Sequence, residues 1–247
     1  MKRFKWKIFF GVSLISLSVL FYFIQIEIFK TPRDTFFYLF QDLAFVPISV
    51  LMVTMIISEV LNLREKQSLM RKLNMVIGAF FSEVGTVLLK SFQDFDLHYE
   101  NLRTNLLVNA GWSNQDFTLA RRRVKNYAYE IDSRKGDIEG LKLYLINRRD
   151  FLLRLLENPN LLEHRSFTNL LRAVFHLTEE LAYRADVRKL PETDYDHLSG
   201  DIERVYSLLL SEWLAYMNYL KNYYPYLFSL AVRTNPFNPD ASPEVKK

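Results

Sequence analysis

The sequence predicts an all-α protein: an N-terminal two-helix transmembrane hairpin followed by a cytoplasmic helical bundle. Two long apolar stretches, 8–28 and 36–58, lie close together near the start of the chain. Beyond them, apolar residues recur at helical spacing, and no segment shows the apolar–polar alternation of a half-buried strand. The chain has only 7 glycines and 8 prolines in 247 residues, which indicates few turns and therefore long helices.

Each apolar stretch is long enough to cross a bilayer. A helix rises about 1.5 Å per residue, so about 20 apolar residues cross a hydrocarbon core of about 30 Å. The first stretch carries its one charge, Glu27, at its far end, and the second has one internal charge, Asp42. A cleaved signal peptide is the alternative for the first stretch, but no small-residue cleavage pattern follows it. We therefore expect two retained spans, at about 8–28 and 36–58, within a hairpin of residues 1–61.

The distribution of basic residues predicts how this hairpin is oriented, because cytoplasmic flanks are enriched in Lys and Arg. The loop between the spans holds only Lys30 and Arg33. The basic residues on the two outer flanks are Lys2, Arg3, Lys5, Lys7, Arg64, Lys66, Arg71 and Lys72. We expect a multi-pass protein of the cell (inner) membrane, with its N- and C-termini in the cytoplasm and these outer side chains against anionic lipid headgroups.

The composition restricts the chemistry that this chain can perform. It contains no cysteine, which excludes disulfides, cysteine-ligated zinc, iron–sulfur clusters and thiol catalysis. The formal net charge is +4, and the basic excess lies beside the two spans, so the distal part of the chain is nearly neutral. This distribution favours membrane lipid as a partner over nucleic acid, and we expect no nucleic-acid partner.

Residues 62–92 are predicted to form a juxtamembrane helix. Their apolar residues recur at near-heptad spacing, which is typical of a coiled coil, and no proline separates them from the second span. Gly78, Ser82 and Gly85 form a row of small residues that permits close helix packing. A third membrane crossing is the alternative here, and charged residues within the segment oppose it.

The cytoplasmic bundle is expected over residues 93–233, with about five or six helices. Ser113 followed by Asp116 resembles a capping pair at a helix start, and Gly111 stands where a C-terminal cap belongs. The expected helices span 94–109, 113–131, 137–157, 161–184, 195–222 and 226–233. Residues 234–247 contain three prolines and no apolar periodicity, which predicts a flexible tail.

Two segments of the chain carry a resemblance to known sequences. They are REKQSLMRKLNMVIGAFFSEVG at 64–85 and YPYLFSLAVRTNPF at 224–237. These segments resemble a group of uncharacterised bacterial two-span membrane proteins, and the similarity covers most of the chain. The resemblance implies a bacterial inner membrane, and it implies no activity, cofactor or site residue.

Asp42 is the strongest candidate for a functional residue within the membrane. An ionisable side chain inside a span is costly and usually faces protein or water. If the spans pair as a tight hairpin, Asp42 lies opposite Tyr22, and Gln25, Gln41 and Ser49 extend a polar seam between the helices. One interpretation is a structural hydrogen bond that fixes helix pairing. The others are an ion or proton pathway in an oligomer, and a water-exposed carboxylate near the external surface.

Pro47 lies in the middle of the second span. It removes one backbone hydrogen bond, so we expect a kink there. A kink of this kind serves as a gate or hinge, or it only sets the shape of the helix.

The sequence predicts neither a catalytic site nor a metal site. His176 lies near Glu179 and Glu180, and Asp194 precedes His197 by three residues, but neither group has the matched second pair of a carboxylate metal bundle. The motifs of zinc proteases, serine hydrolases and nucleotide-binding loops are absent. We therefore expect no enzyme, no cofactor and no bound metal.

The leading functional hypothesis is a non-enzymatic, membrane-anchored protein whose cytoplasmic bundle binds a protein partner or a second copy of itself. Its role would be that of a scaffold, a regulator or a signal relay. The alternative is an oligomeric channel or transport component that uses Asp42 and Pro47 in the second span. An enzyme or metal protein of unfamiliar type is the third hypothesis.

Overall fold

A computed structural model of the chain describes residues 2–30, 32–159, 161 and 164–245. The side chains of residues 2–11 lie outside this description. The chain divides into two compact units, Met1–Lys66 and Gln67–Lys247.

The described residues are mainly helical. In chain order the helices are α1 Lys2–Phe29, α2 Pro32–Phe80, α3 Thr86–Gln93, α4 Tyr99–Arg103, α5 Asn114–Lys125, α6 Ile138–Leu156, α7 Arg165–Tyr183, α8 Glu192–Tyr223 and α9 Pro225–Arg233. A π-helical turn, Phe81–Gly85, joins α2 to α3. Within the described ranges, extended pairing is limited to one isolated bridge between Asp96 and Ile131. The predicted all-α class is therefore confirmed.

The first unit consists of α1 and the greater part of α2. Nearly all of its described apolar side chains are exposed, because neither helix buries its surface in a protein core. Pro47 lies inside α2, and the helix continues on both sides of it. Pro47 has no N–H to donate to the carbonyl of Leu43, so one helical hydrogen bond is missing at this point.

The second unit is built around α8. Acidic Glu192 and Asp194 lie in its first turn and basic Lys221 in its last, which suits the helix dipole. Its apolar residues recur at helical spacing, and α3, α5, α7, α9 and the π-helical turn all pack against it. The buried apolar residues of α8 are Leu198, Ile202, Val205, Tyr206, Leu209, Leu210, Trp213, Leu214, Met217 and Leu220. The core of this unit therefore surrounds α8, and α6 packs outside α7.

The start of α5 follows the predicted capping pair. The Ser113 Oγ accepts a hydrogen bond from the Asp116 N–H at 3.3 Å, and the Asp116 carboxylate accepts one from the Ser113 N–H at 2.7 Å. These two bonds satisfy two backbone donors that the first helical turn leaves free. The hydrogen bonds that the Ser113 N–H and the Ser113 hydroxyl donate to the Asp116 carboxylate lower the pKa of Asp116. The prediction of a capped helix start at Ser113 is confirmed.

The helix predicted at 94–109 is wrong for most of its length. The structure has only the short α4 there, because the chain on both sides of it is held by other contacts. The N–H of Asp132 donates to the carbonyl of Phe95 at 2.9 Å, which places this segment beside a distant loop. Leu106 and Val108 are buried outside any helix.

The flexible tail predicted at 234–247 differs from the structure at residues 235–237, which are packed against the core. Phe237 is fully buried against Trp213, with ring centroids 5.1 Å apart. Asn235 is buried as well, and its amide donates to the carbonyl of Leu106 at 2.9 Å. The segment is therefore anchored to the core by an apolar side chain and a buried hydrogen bond. Residues 246–247 lie outside the described residues.

Candidate functional site

The predicted polar seam involves five residues on α1 and α2. Tyr22 and Gln25 are half-buried on α1, whereas Gln41 and Asp42 are exposed on α2. Ser49 donates to the carbonyl four residues earlier in its own helix, at 3.1 Å. Within the described residues no hydrogen bond joins the five to one another, so the seam stays a prediction.

The predicted row of small residues lies where α2 and the π-helical turn approach α8. A Cβ atom on Gly78 would lie 2.7 Å from the Tyr216 hydroxyl, so a larger residue would displace that side chain. Gly85 is buried, and a Cβ there would lie 2.5 Å from the Phe81 ring. Ser82, the third member of the row, is exposed. The two glycines thus permit close packing inside the second unit.

The basic residues predicted to contact lipid fall into two groups. The side chains of Lys2, Arg3, Lys5 and Lys7 lie outside the described residues. The side chains of Arg64, Lys66, Arg71 and Lys72 are exposed on α2. In the described part of the chain none of these four forms an ion pair, so their charges are available to an anionic surface.

A cluster of histidine and carboxylate side chains lies between α7 and α8. His176 and Glu180 are four residues apart on α7, and His197 and Asp201 are four residues apart on α8. Residues at this spacing share one helix face. Because α7 and α8 pack side by side, the two pairs face each other across the contact between the helices.

The polar atoms of these four side chains lie close together, but within the described structure no hydrogen bond joins one of the four to another. The Asp201 Oδ2 lies 3.4 Å from His197 Nε2 and 3.5 Å from His176 Nε2. The Glu180 carboxylate lies 3.6 Å from His197 Nε2 and 3.8 Å from His176 Nε2. Each of the two carboxylates therefore approaches both imidazoles, at distances of 3.4 to 3.8 Å.

Asp201 is the most buried member of the cluster. Only 3% of its side chain is exposed, whereas the two imidazoles are about half exposed. Its Oδ1 accepts a hydrogen bond from Arg204 at 2.8 Å, but its Oδ2 is buried and has no hydrogen-bond partner in the described structure. A buried carboxylate oxygen without a donor is costly, so Oδ2 needs positive charge nearby.

Arg184 holds Glu180 in place beside this cluster. Its guanidinium donates to Glu180 Oε2 at 2.7 Å and to both oxygens of Asp194, at 2.8 and 2.6 Å. The hydrogen bond from Arg184 lowers the pKa of Glu180, and the same guanidinium lowers the pKa of Asp194. Both carboxylates are therefore ionised at neutral pH, and Arg184 joins the end of α7 to the start of α8.

Sequence reasoning missed this cluster. It considered His176 with Glu180 and, separately, Asp194 with His197, but it did not pair His197 with Asp201. A repeated signal was present in the sequence: a histidine followed four residues later by a carboxylate, once in each of two consecutive helices. That the two helix faces meet depends on tertiary packing.

The other two histidines have local structural roles. His98 lies 2.7 Å from Glu130 in an exposed pair. His164 accepts a hydrogen bond from the N–H of Phe167 at 3.2 Å and caps the start of α7. Neither residue belongs to the cluster.

The second unit also has an apolar groove beside α8. Two adjoining hollows, of about 360 and 400 Å³, share Tyr216, Leu220 and Leu227 in their walls. Tyr226 is 71% exposed on α9 near this wall. Aromatic side chains that are partly exposed beside an apolar groove are typical of protein-binding surfaces.

Comparisons with known proteins place the chain among proteins of unassigned activity. A family model described as "Uncharacterized protein MJ1433, C-terminal helical domain" matches residues 69–233, and one described as "MJ1433, N-terminal helical domain" matches residues 2–61. The relative "Uncharacterized protein MJ1433" of Methanocaldococcus jannaschii is 46% identical over 228 residues, which are 92% of this chain and 92% of the relative. No solved structure matches the chain. The comparisons support membership of an uncharacterised family. They do not support the expected bacterial origin, because the relative is archaeal.

Replacement of Arg184 by Gln should lower the free energy of unfolding at neutral pH by about 1 kcal/mol, because two carboxylates lose their shared cation. Folding lowers the pKa of Glu180 and of Asp194 below their ordinary values of 4.5 and 3.8, so both groups stabilise the fold at a pH above those ordinary values. This contribution disappears as the pH falls through the lower pKa values of the folded state. Denaturant unfolding of both proteins between about pH 7 and about pH 3 should therefore give curves that converge in acid.

The matched control is Arg188→Gln, which removes an exposed guanidinium that pairs with Glu139 at 3.1 Å. We expect the free energy of unfolding of this variant to stay close to that of the wild type at every pH measured. Parallel curves for Arg184→Gln and the wild type would contradict the prediction.

Proposed function

The chain belongs to the MJ1433 family, and we propose that it is an integral membrane protein with a helical domain that binds a protein partner or a second copy of itself. The N-terminal pair of helices is the membrane part, and the unit Gln67–Lys247 is the interaction part. The role is that of a scaffold, a regulator or a signal relay, and not that of an enzyme.

The observation that carries the membrane assignment is the exposure of the two long apolar helices. The stretch Val12–Phe29 and an equally long window of α2 are apolar enough to cross a bilayer, and none of either window is buried in protein. A core helix of a water-soluble protein would bury such a surface. A signal sequence would account for the first helix but not for the second, so two membrane spans explain both.

The basic residues support an orientation with the larger unit in the cytoplasm. Four basic residues precede the first span and four follow the second, whereas Lys30 and Arg33 alone lie between them. Arg64 and Lys66 are exposed and form no ion pair with any described residue, so they add attraction to anionic headgroups, which is worth about 1 kcal/mol for each side chain near the surface.

The interaction role rests on the groove beside α8. Leu227 and Leu230 expose 39% and 44% of their surface at this groove, next to the aromatic ring of Tyr216. Burial of such side chains against a second protein contributes about 25 cal/mol for each Å² of apolar surface removed from water. The absence of the common catalytic motifs from the sequence supports binding over catalysis.

An oligomeric channel or transport component is the second candidate. The observation that favours it is Asp42, an exposed carboxylate on an apolar helix that has no ion pair among the described residues. Charged residues in spans often face a water-filled path, and such a path would have to form between copies of the chain.

Single cysteines will report the topology, because the natural chain has none. In intact cells or right-side-out vesicles, a membrane-impermeant maleimide should label Lys30→Cys. It should label Tyr183→Cys, a position that is 85% exposed, only after the membrane is opened. Both variants should remain in the membrane after carbonate washing. Release by carbonate would refute the membrane assignment, and the reverse labelling pattern would refute the orientation.

Photo-crosslinking will test the groove as an interaction surface. A photoreactive phenylalanine analogue at Leu227 should give an adduct of defined mass, and the same analogue at Leu143, an exposed position on α6, should not. An adduct of twice the chain mass identifies a second copy, and another mass that recurs in native membranes identifies a different partner. Equal yields at the two positions would contradict the proposal.

Replacement of Asp42 by Asn will test the channel candidate in liposomes that contain the purified protein. If the carboxylate lines an ion path, the substitution should abolish ion flux and leave oligomer mass unchanged. Asp34→Asn, in the first turn of the same helix, is the matched control and should keep the flux. Retention of flux in Asp42→Asn would reject this candidate.

A further inference from the structure

We propose that His176, Glu180, His197 and Asp201 form a binding site for one divalent transition-metal ion, with Zn²⁺ as the best fit. The site lies between α7 and α8 in the second unit, where ligand atoms of Glu180, His197 and Asp201 all lie within 4.8 Å of one another. His176 is the fourth ligand, and its Nε2 lies 3.5 Å from Asp201 Oδ2. This inference goes beyond the proposed membrane and interaction role and does not depend on it.

The donor atoms define the class of metal. Two imidazole nitrogens and two carboxylate oxygens suit Zn²⁺ and related transition metals, whereas Ca²⁺ and Mg²⁺ prefer sites made of oxygen alone. The chain contains no cysteine, so no thiolate competes with these ligands. Zn²⁺ binds four such ligands as a tetrahedron in structural sites.

The distances from Asp201 to the two imidazoles match this geometry. Ligand atoms that lie about 2.05 Å from a tetrahedral Zn²⁺ are about 3.3 Å from one another. Asp201 Oδ2 lies 3.4 Å from one imidazole nitrogen and 3.5 Å from the other. Glu180 Oε2 lies 3.6 Å from His197 Nε2, and Glu180 Oε1 lies 3.8 Å from His176 Nε2, so the Glu180 and His176 side chains must rotate to complete the tetrahedron. Hydrogen bonds would bring such atoms closer, to about 2.9 Å.

Asp201 gives a second and independent reason for a cation. Its Oδ2 is buried, points at both imidazoles and lacks a hydrogen-bond donor in the described part of the chain. Arg204 compensates only Oδ1. A metal ion at the centre of the cluster would satisfy Oδ2 directly, and the half-exposed imidazoles leave a path by which the ion enters.

Arg184 fits the position of a residue that orients a ligand. It holds Oε2 of Glu180 by a hydrogen bond of 2.7 Å and lowers the pKa of this carboxylate. Oε1, which lies 3.8 Å from His176 Nε2, is then the oxygen left for the metal. Groups that support metal ligands in this way are worth about 10- to 100-fold in affinity. Four protein ligands leave no open coordination position, so the ion would tie α7 to α8 and would not activate water.

The competing explanation is that the cluster binds protons only. Protonated His176 and His197 would then pair with the two carboxylates, and stability would change with pH but not with metal. The groups that face these imidazoles are Glu180 and Arg184 from the α7 side, and Asp194, Asp201 and Arg204 from the α8 side.

Metal binding should be measured on the full chain, purified in detergent and stripped with a chelator. We expect one Zn²⁺ per chain by calorimetry and elemental analysis, and one Co²⁺ with the intense visible absorption of tetrahedral nitrogen–oxygen coordination. Zn²⁺ should raise the melting temperature, because it binds the folded state, and Ca²⁺ and Mg²⁺ should not.

The variants separate the site from other histidines. His176→Gln and His197→Gln alter half-exposed side chains and should each lower the Zn²⁺ affinity by about 10-fold or more. His98→Gln is the matched control, because His98 is also half exposed but lies outside the cluster. This variant should bind Zn²⁺ with the affinity of the wild type. Circular dichroism will verify that each variant is folded.

Three results would overturn the proposal. They are the absence of stoichiometric Zn²⁺ binding, equal binding by the cluster variants and the wild type, and a melting temperature that responds to pH but not to Zn²⁺. Failure here would leave the membrane topology and groove experiments unaffected, because neither uses these residues.

Discussion

The structure of the second unit depends on the burial of α8. This helix is 32 residues long, and its apolar side chains are buried on more than one side, so the neighbouring helices pack around it. Full burial of a single leucine or valine side chain contributes about 1.5–3 kcal/mol. The other helices of this unit are shorter, and isolated helices of about 12–15 residues are only marginally stable in water. Their packing against α8 therefore decides their position, including the position of α7 and its histidine.

The same core also buries polar atoms that have no hydrogen-bond partner among the described residues. Tyr206 is fully buried, and its hydroxyl has no hydrogen-bond partner in the described residues. Burial raises the pKa of Tyr206 well above its usual value, and it raises the pKa of Asp96 as well. Asp201 differs from these two, because imidazoles surround its unsatisfied oxygen. The contrast identifies the α7–α8 contact as the place where a buried charge has suitable neighbours.

Local signals in the sequence correctly predicted the helix starts and helix positions that local interactions determine. Ser113 and Asp116 marked a helix start, and the apolar periodicity of α6 and α8 placed both helices to within a few residues. The prediction failed where distant contacts decide the conformation. Residues near Phe95 pair with the loop at Asp132, and Phe237 enters the core from a proline-rich segment that has no periodic pattern. The histidine cluster belongs to the second category, because its two halves are regular in sequence but meet only through helix packing.

The anchored C-terminal segment has a consequence for how the chain folds. Asn235 bonds to a carbonyl 129 residues earlier, and Gln93 bonds to Pro236 across 143 residues. Loop-closure entropy rises with the length of chain between two contacts, and long-range contacts slow folding. Helices that follow one another directly, such as α7 and α8, close much shorter loops. We therefore expect the contacts of Phe237 and Asn235 to form after those between α7 and α8.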